Sequence, residues 1–426
     1  MSRDKKPLLY AAGIVLLGIL AYRSTLFGDF VLDDLTLVVL NAHIQDLSGA
    51  GRLFFENIGA GFSQQASSAF YRPLQILSYA VDHRFWGLNY AGYHLTNMIL
   101  HILAALGVFQ LTRMITRKDA LSFVAAAIFA LHPANTEAVS YISGRADPLS
   151  ALFVFLCLIF YIKYLDSGSL KYYLLFPACY LLALFSRESG LMVLAFVLLY
   201  HFSFRRRFTH KLALRLACPL LAVTAVYLLM RSAALNSMLP YYHAAALPER
   251  LAGFFAAFTG YIRILFMPYG LHMEYGRKIF YFNDPRVIIG ALLFAACVYF
   301  IVKKRKEGGA ALFFSAWFII GLIPVSNIFP MGAYMAEHWL YLPSVGFYAV
   351  IASAIVRLPK SAAVALSAVI LLGLAAATAK QNRYWADPEV FYTRTLEYSP
   401  DSARIRTYLD IHNELKKLEK KPIPVD

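Results

Sequence analysis

Along the chain, apolar residues gather in unbroken blocks near 8–22, 93–112, 119–131, 148–165, 171–185, 189–204, 211–230, 249–268, 286–302, 309–325, 339–356 and 361–379. A helix needs roughly 20 apolar residues to cross a hydrocarbon core of ~30 Å. These blocks therefore predict an all-α integral membrane protein of many spans. The short polar stretches between them leave little room for a soluble core.

Charge turns the pattern into a topology. With the N-terminus inside and one crossing per block, the basic clusters Arg113–Lys118, Lys163–Lys171 and Arg205–Arg215 all fall inside, where cytoplasmic loops concentrate Lys and Arg. Only Lys303–Lys306 breaks the parity, unless 249–268 enters or lies along the membrane and returns. The expectation is eleven crossings plus this re-entrant or interfacial segment, with the N-terminus in and the C-terminus out. The first block lacks a cleavage site after its basic flank and reads as a retained anchor. The segments 1–7, 113–119, 163–171, 201–215, 303–307 and 357–360 hold 19 of the 40 basic and 4 of the 25 acidic residues. The remainder balances at 21 and 21, so the net charge of +15 is an orientation signal rather than a nucleic-acid footprint.

Composition agrees: 59% of residues are hydrophobic, 15% are charged and mean hydropathy is +0.56. Soluble domains run at about 45–50% and about 25%, so a water-soluble enzyme is excluded. Cys157, Cys179, Cys218 and Cys297 each lie inside an apolar block without CxxC spacing. They read as small buried hydrophobes and predict neither disulfides nor zinc. No inside loop is long enough to bind a nucleotide sugar. The substantial polar segments, 23–92, 132–147, 231–248, 269–285, 326–338 and 380–426, are all outside, so any activity belongs to the outer face.

Candidate chemistry follows from those segments. After the first span comes Gly28-Asp29-Phe30-Val31-Leu32-Asp33-Asp34. Adjacent carboxylates near an apolar wall resist ionising together. Such a pair suits a general base or a divalent cation, Mg or Mn, held by Asp33 and Asp34; an N-cap is the plainer reading. Tyr71 and Arg72 open an aromatic-rich stretch reaching His83 that reads as an interfacial helix. There Arg72 meets a lipid phosphate or merely a headgroup. Run 119–131 is ~20 Å long at 1.5 Å per residue and ends at His132-Pro133. Asn135, Glu137, Gly144, Arg145 and Asp147 follow before the next run. Polar groups at membrane depth are costly and usually line a cavity, so 132–147 reads as a re-entrant, functional excursion. Run 171–185 ends at Ser186-Arg187-Glu188-Ser189-Gly190, where Arg187 is a candidate anion ligand or the partner of Glu188 in a structural pair. Glu274 sits among aromatics, and Glu337 and His338 open the crossing at 339; packing and site roles stay open for all three.

These residues also match a family. The sequence resembles the transmembrane and tetratricopeptide-repeat-containing O-mannosyltransferases, of the GT-C class that uses polyprenyl-phosphate sugars. The resemblance rests on ordered blocks: Phe30–Asp34, Tyr71–Leu74, Gly92–His101, Leu131–Asp147, Arg187–Gly190, Ser326–Phe347 and Asn382–Phe391. It implies a GT-C-type helical bundle with a luminal or periplasmic catalytic face and Asp33 and Asp34 at the reaction centre. It also implies sugar transfer from a polyprenyl-phosphate donor to a hydroxyl, usually protein Ser/Thr. Three positions depart from the family pattern: Arg187 replaces Lys, Glu274 replaces Asp and His338 replaces Arg.

The resulting organisation is a catalytic membrane domain over 1–379, whose first outer loop is 23–92, and an outward tail over 380–426. The tail reads as two amphipathic helices, Asp387–Tyr398 and Asp401–Lys420, about one repeat. Stacked repeats need at least about three units to bury a continuous core, so the tail caps the membrane domain or docks a partner. Its shortness fits a prokaryotic relative, hence a cytoplasmic membrane with the site outside; in a eukaryote the site would face the ER lumen.

The expected reaction moves a hexose, mannose above others, from the lipid donor to a protein or glycan acceptor. Asp33 takes the hydroxyl proton and Asp34 orients the acceptor or helps hold a cation. Arg145, Arg187 and Arg72 neutralise the leaving phosphate. Tyr71, His132, Glu137, Asp147, Glu188, Glu274, Glu337 and His338 shape the substrate pocket. A transporter or flippase of lipid-linked sugars is the rival; it predicts inverted-repeat symmetry with midplane charges, whereas the polar clusters here crowd the outer ends.

Overall fold

The computed structural model describes residues 6–63, 70–204, 209–235, 245–276 and 278–419. Arg3, Lys5, Arg205–Arg207, half of 231–248 (residues 236–244) and Lys420 lie outside the described residues. Within them every regular element is a helix. In chain order these are α1 Lys6–Tyr22, α2 Pro73–Trp86, α3 Tyr90–Thr116, α4 Asp119–Leu131, α5 Thr136–Val139 and α6 Ala146–Ser167. There follow α7 Leu170–Ser186, α8 Met192–Phe204, α9 His210–Ala234, α10 Leu247–Phe266 and α11 Pro285–Lys304. Next are α12 Gly309–Gly321, α13 Ser344–Ile355, α14 Lys360–Ala386, α15 Pro388–Tyr398 and α16 Ala403–Glu419.

Six segments are long and apolar enough to cross a membrane: Lys6–Phe27, Tyr90–Thr116, Ile142–Ser167, Leu214–Ala234, Pro285–Lys304 and Lys360–Ala386. Five more helices are apolar but shorter: Asp119–Leu131, Leu170–Ser186, Glu188–Phe204, Gly309–Val325 and Ser344–Ile355. The chain is a multi-pass membrane protein. α10 stands apart from both groups, because Glu249, Arg250 and Arg263 interrupt its apolar surface. That is the block the charge pattern singled out.

The outer helices carry their apolar side chains outward. Leu8, Leu229, Leu292, Val369 and Leu372 are 66–74% exposed, a surface that suits lipid rather than water. Inward, α3, α4, α6, α7, α8, α12 and α13 share one continuous core. At its centre the Phe196 and Trp317 rings stack 3.6 Å apart, and the Trp317 indole donates to the Leu342 carbonyl at 2.9 Å. Gly168 ends α6 at φ 66°, a left-handed cap that turns α7 straight back along α6. Cys157 and Cys179 are buried as expected. Cys218 is a correction: it is exposed on α9, where a thiol facing lipid meets no aqueous penalty.

Pro133 cannot continue α4, and the chain then winds through a 3-10 turn, the single turn α5 and a second 3-10 turn into α6. His132, Asn135, Thr136, Glu137, Ser140 and Arg145 along it are all buried. The excursion expected at 132–147 is therefore surrounded by protein. Gly144 is required there, since a Cβ would lie 2.4 Å from the Glu137 carbonyl oxygen.

Around this segment fold the first outer loop, α10 and the tail. The tail helices match their expected bounds to within two residues. They pack as a hairpin against Val31, Leu32, Tyr141, Tyr384 and Trp385, so the tail caps the membrane domain.

Candidate active site

The two aspartates of the first loop have different surroundings. Asp34 is fully buried. Its Oδ1 accepts from the Ser143 amide at 2.7 Å and hydroxyl at 2.5 Å, and its Oδ2 accepts from the Val31 amide at 3.1 Å. Burial raises its carboxyl to about 7, against the pull of those donors. It begins a short π-helix, Leu35–Val39, without capping it, so the N-cap reading does not hold. Asp34 instead pins the loop to the 132–147 segment.

Asp33 points outward with its side chain 46% exposed, 4.0 Å from Arg404 of α16. Its amide donates to the Tyr141 hydroxyl at 3.1 Å. The residue before it, Leu32, has φ 49° and is fully buried. A bulky residue in the left-handed region is strained, and such strain persists only where surroundings enforce it.

A divalent cation needs several hard oxygen ligands converging on one point. Both Asp34 oxygens are already engaged by protein donors, and Asp33 faces a guanidinium. Among the described residues no group of three or more His, Cys, Asp and Glu is gathered as a metal site. The residues do not fit the Mg or Mn expected of Asp33 and Asp34, and no step below uses one.

The second part of the site is a mixed-charge cluster. Arg72, at the start of α2, pairs with Glu188 at 3.0 Å; Arg231, near the end of α9, reaches the other Glu188 oxygen at 3.1 Å. Arg187 bonds to Asp147, the start of α6. Arg187 and Glu188 are thus not each other's partners, as a tight-turn pair would have been. Asp147 also lies in the field of His338, Arg72 and Glu137. Glu137 accepts from the His338 amide at 2.9 Å, and its other oxygen meets His338 Nδ1 at 2.5 Å.

Between the two parts runs a bridge. Glu274 pairs with Arg404 at 3.1 Å. Next to it, Tyr275 donates its hydroxyl to Glu337 at 2.7 Å, and the same oxygen accepts the His272 amide at 2.7 Å. Burial, and then the nearby Glu137, raises the Glu337 carboxyl well above the usual range. These contacts make a belt of three groups: Asp33–Arg404–Glu274, Tyr275–Glu337 beside Glu137–His338, and Asp147–Arg187 beside Glu188 with Arg72 and Arg231. The groups adjoin as chain neighbours at Glu274–Tyr275 and Glu337–His338, and through electrostatics alone between His338 and Asp147. Segment 132–147 is its spine, touching Asp33 through Tyr141, Asp34 through Ser143 and the cluster through Glu137 and Asp147.

Three expected residues sit elsewhere. Arg145 is fully buried: it pairs with Asp82 at 2.6 Å, bonds Asn97 at 2.6 Å, Ser78 at 3.2 Å and the Tyr93 carbonyl at 2.9 Å, and stacks on Tyr79. With its donors turned inward it does not present itself to a lipid phosphate. That corrects the role expected of it. His132 engages the Leu265 carbonyl and the Ala134 amide with its two ring nitrogens, as the cap of a turn. Tyr71 is buried between Phe185 and Tyr227, its hydroxyl on the Phe54 carbonyl at 2.7 Å. Both are walls rather than open pocket. Arg231 and Arg404 went unnoticed in the sequence. The first follows directly on an apolar run and the second lies on a polar helix, and no motif marks either.

No family model matches the chain. It is similar to the protein O-mannosyl-transferase F38B6.6 of Caenorhabditis elegans, with 28% identity over 92% of this chain and 58% of that protein. It is also similar to human protein O-mannosyl-transferase TMTC2, with 37% identity over 35% of this chain and 18% of that one. The chain thus spans just over half the length of the worm relative. Among solved structures, ArnT from Cupriavidus metallidurans bound to undecaprenyl phosphate is 14% identical over 96% of this chain and 74% of its own, with a TM-score of 0.47.

Proposed function

We propose that the chain is an inverting membrane glycosyltransferase that moves a mannose from a polyprenyl-phosphate donor to a protein Ser/Thr hydroxyl. Its site lies on the face of the membrane opposite the basic loops. The observation that carries the reading is the belt, which links a half-exposed carboxylate to an arginine cluster over one buried segment. The similarity to proteins named as O-mannosyl-transferases supports it.

In this mechanism the Asp33 carboxylate accepts the acceptor's hydroxyl proton as its oxygen bonds to the anomeric carbon. The bond from that carbon to the phosphate oxygen breaks, and polyprenyl phosphate leaves with one more negative charge. Arg72, Arg187 and Arg231 face that charge where it develops. Asp147 holds Arg187 in place before the donor arrives, and Glu188 occupies Arg72 and Arg231 until the phosphate takes them. Glu337 accepts hydrogen bonds from Tyr275 and His272 within the wall, while Glu137 and His338 form the side of the sugar pocket.

The test is transfer by purified protein from radiolabelled polyprenyl-phosphate mannose to host-membrane acceptors. Wild type should label protein, and Asp33→Asn should fall by about two orders of magnitude while its thermal unfolding stays unchanged. Near-normal turnover in that variant removes Asp33 from the centre. Label on a lipid or glycan discards the protein acceptor.

A further inference from the structure

The sequence marks the tail as a cap or a partner-docking unit, and the mechanism above assigns no step to it. Its contacts converge on the turn that carries Asp33. The Leu32 amide donates to the Tyr392 hydroxyl of α15 at 3.0 Å, at the one residue of that turn held at positive φ. Trp385, at the end of α14, stacks on Tyr141 at 5.6 Å, and the Tyr141 hydroxyl in turn accepts the Asp33 amide. Arg404 of α16 lies between Asp33 and Glu274. Ser399 donates to the Glu274 carbonyl, and Tyr398 stacks on His272 at 4.5 Å. A unit that merely covered the bundle would not place a guanidinium between two carboxylates of the site, nor anchor the strained residue beside one of them.

We infer that the α15–α16 hairpin is a working wall of the active centre and that Arg404 is the positioning residue that aims the Asp33 carboxylate. The inference rests on the proposed role of Asp33. Tyr392 and Tyr141 fix the backbone on either side of the turn, and Arg404 draws the carboxylate toward Glu274. The acceptor hydroxyl therefore meets an oriented base. Arg404 touches no reacting atom in this scheme. Its effect passes through Asp33, so it should be visible only when Asp33 is present.

The experiment uses the full chain in lipid nanodiscs with radiolabelled polyprenyl-phosphate mannose. It compares wild type, Arg404→Gln, Arg404→Lys, Asp33→Asn and the Asp33→Asn/Arg404→Gln double variant. Arg404→Gln should lower kcat about tenfold with donor KM within about twofold, the signature of an interaction that matters in the transition state. Lysine keeps the charge and should recover most of the loss. The double variant should be no slower than Asp33→Asn, since residues acting as a unit are not additive.

Amide hydrogen exchange supplies a readout independent of turnover. Protection over 30–35 should fall in Arg404→Gln and return in Arg404→Lys. Wild-type turnover together with unchanged exchange in Arg404→Gln overturns the inference. So does an equal loss of transfer with and without Asp33, which would make Arg404 merely structural. Exchange that rises at 30–35 in a protein transferring no sugar would sink the proposed function while leaving the coupling between tail and turn intact.

Discussion

Arg145 and Arg187 both sit beside the start of a buried helical segment, and both pair with an aspartate, yet their settings are opposed. Arg145 and Asp82 are 0% and 6% exposed, and Asn97, Ser78 and Tyr93 complete the guanidinium's hydrogen bonds. The Arg187–Asp147 and Arg72–Glu188 pairs keep 9–29% of their side chains accessible. They also crowd three arginines against few acceptors. A buried charge must have its partners inside the protein, and Arg145 has them. Arg72, Arg187 and Arg231 keep 10–14% of their side chains accessible, the narrow opening that the proposed mechanism uses for the donor phosphate. Burial and partner count, rather than the presence of an arginine, separate scaffold from site.

The largest effect expected of that contrast is on stability. Asp82→Ala leaves the Arg145 charge buried and unpaired, at a cost of about 3–5 kcal/mol. Thermal unfolding should drop sharply, with transfer lost only as folded protein is lost. Arg187→Gln should do the reverse: a loss of transfer of about a hundredfold with little change in unfolding temperature. Equal stability losses in the two variants would erase the distinction.

A pH series sharpens it at the third buried charge, Asp34. Its folded-state carboxyl, near 7, lies above its ordinary 3.8, so folding favours the protonated form. The stability it contributes is full below about 3.8 and is lost as pH rises through about 7. Unfolding temperature should decline over that window, and less so in Asp34→Asn, which stays neutral. The smallest effect should be at Glu188. Replacing it with Gln releases Arg72 and Arg231 toward the donor phosphate, and partly exposed pairs of this kind are worth at most about 1 kcal/mol. Donor KM should therefore fall by up to about fivefold, measured by initial-rate kinetics. A rise in KM would show that Glu188 positions the arginines.

Much of this molecule is legible in the chain. The apolar blocks match their helices because a lipid-facing helix needs a continuous run, and α10 is marked off by the parity of crossings that Lys303–Lys306 demands. Segment 132–147 was recognisable because polar residues directly behind a short apolar run have few places to go. What local pattern does not contain is pairing across distance. Nothing near Arg145 points to Asp82, which lies beyond the whole of α3, and nothing near Asp33 points to Arg404. Arg72, Arg187 and Glu188 are visible as candidates, but only the fold shows that Glu188 joins Arg72 to Arg231.

The hydrogen bond between Leu32 and Tyr392 spans 360 residues, and that separation governs when the molecule is finished. Chains emerge N-terminus first at about 5–20 residues per second. The turn holding Asp33 therefore waits roughly 20–70 s for the helix that braces it. Until then the early loop and the first spans are in place without their last wall. Until α15 has emerged, the Leu32 amide has no Tyr392 hydroxyl to meet, and the turn before Asp33 forms without that brace.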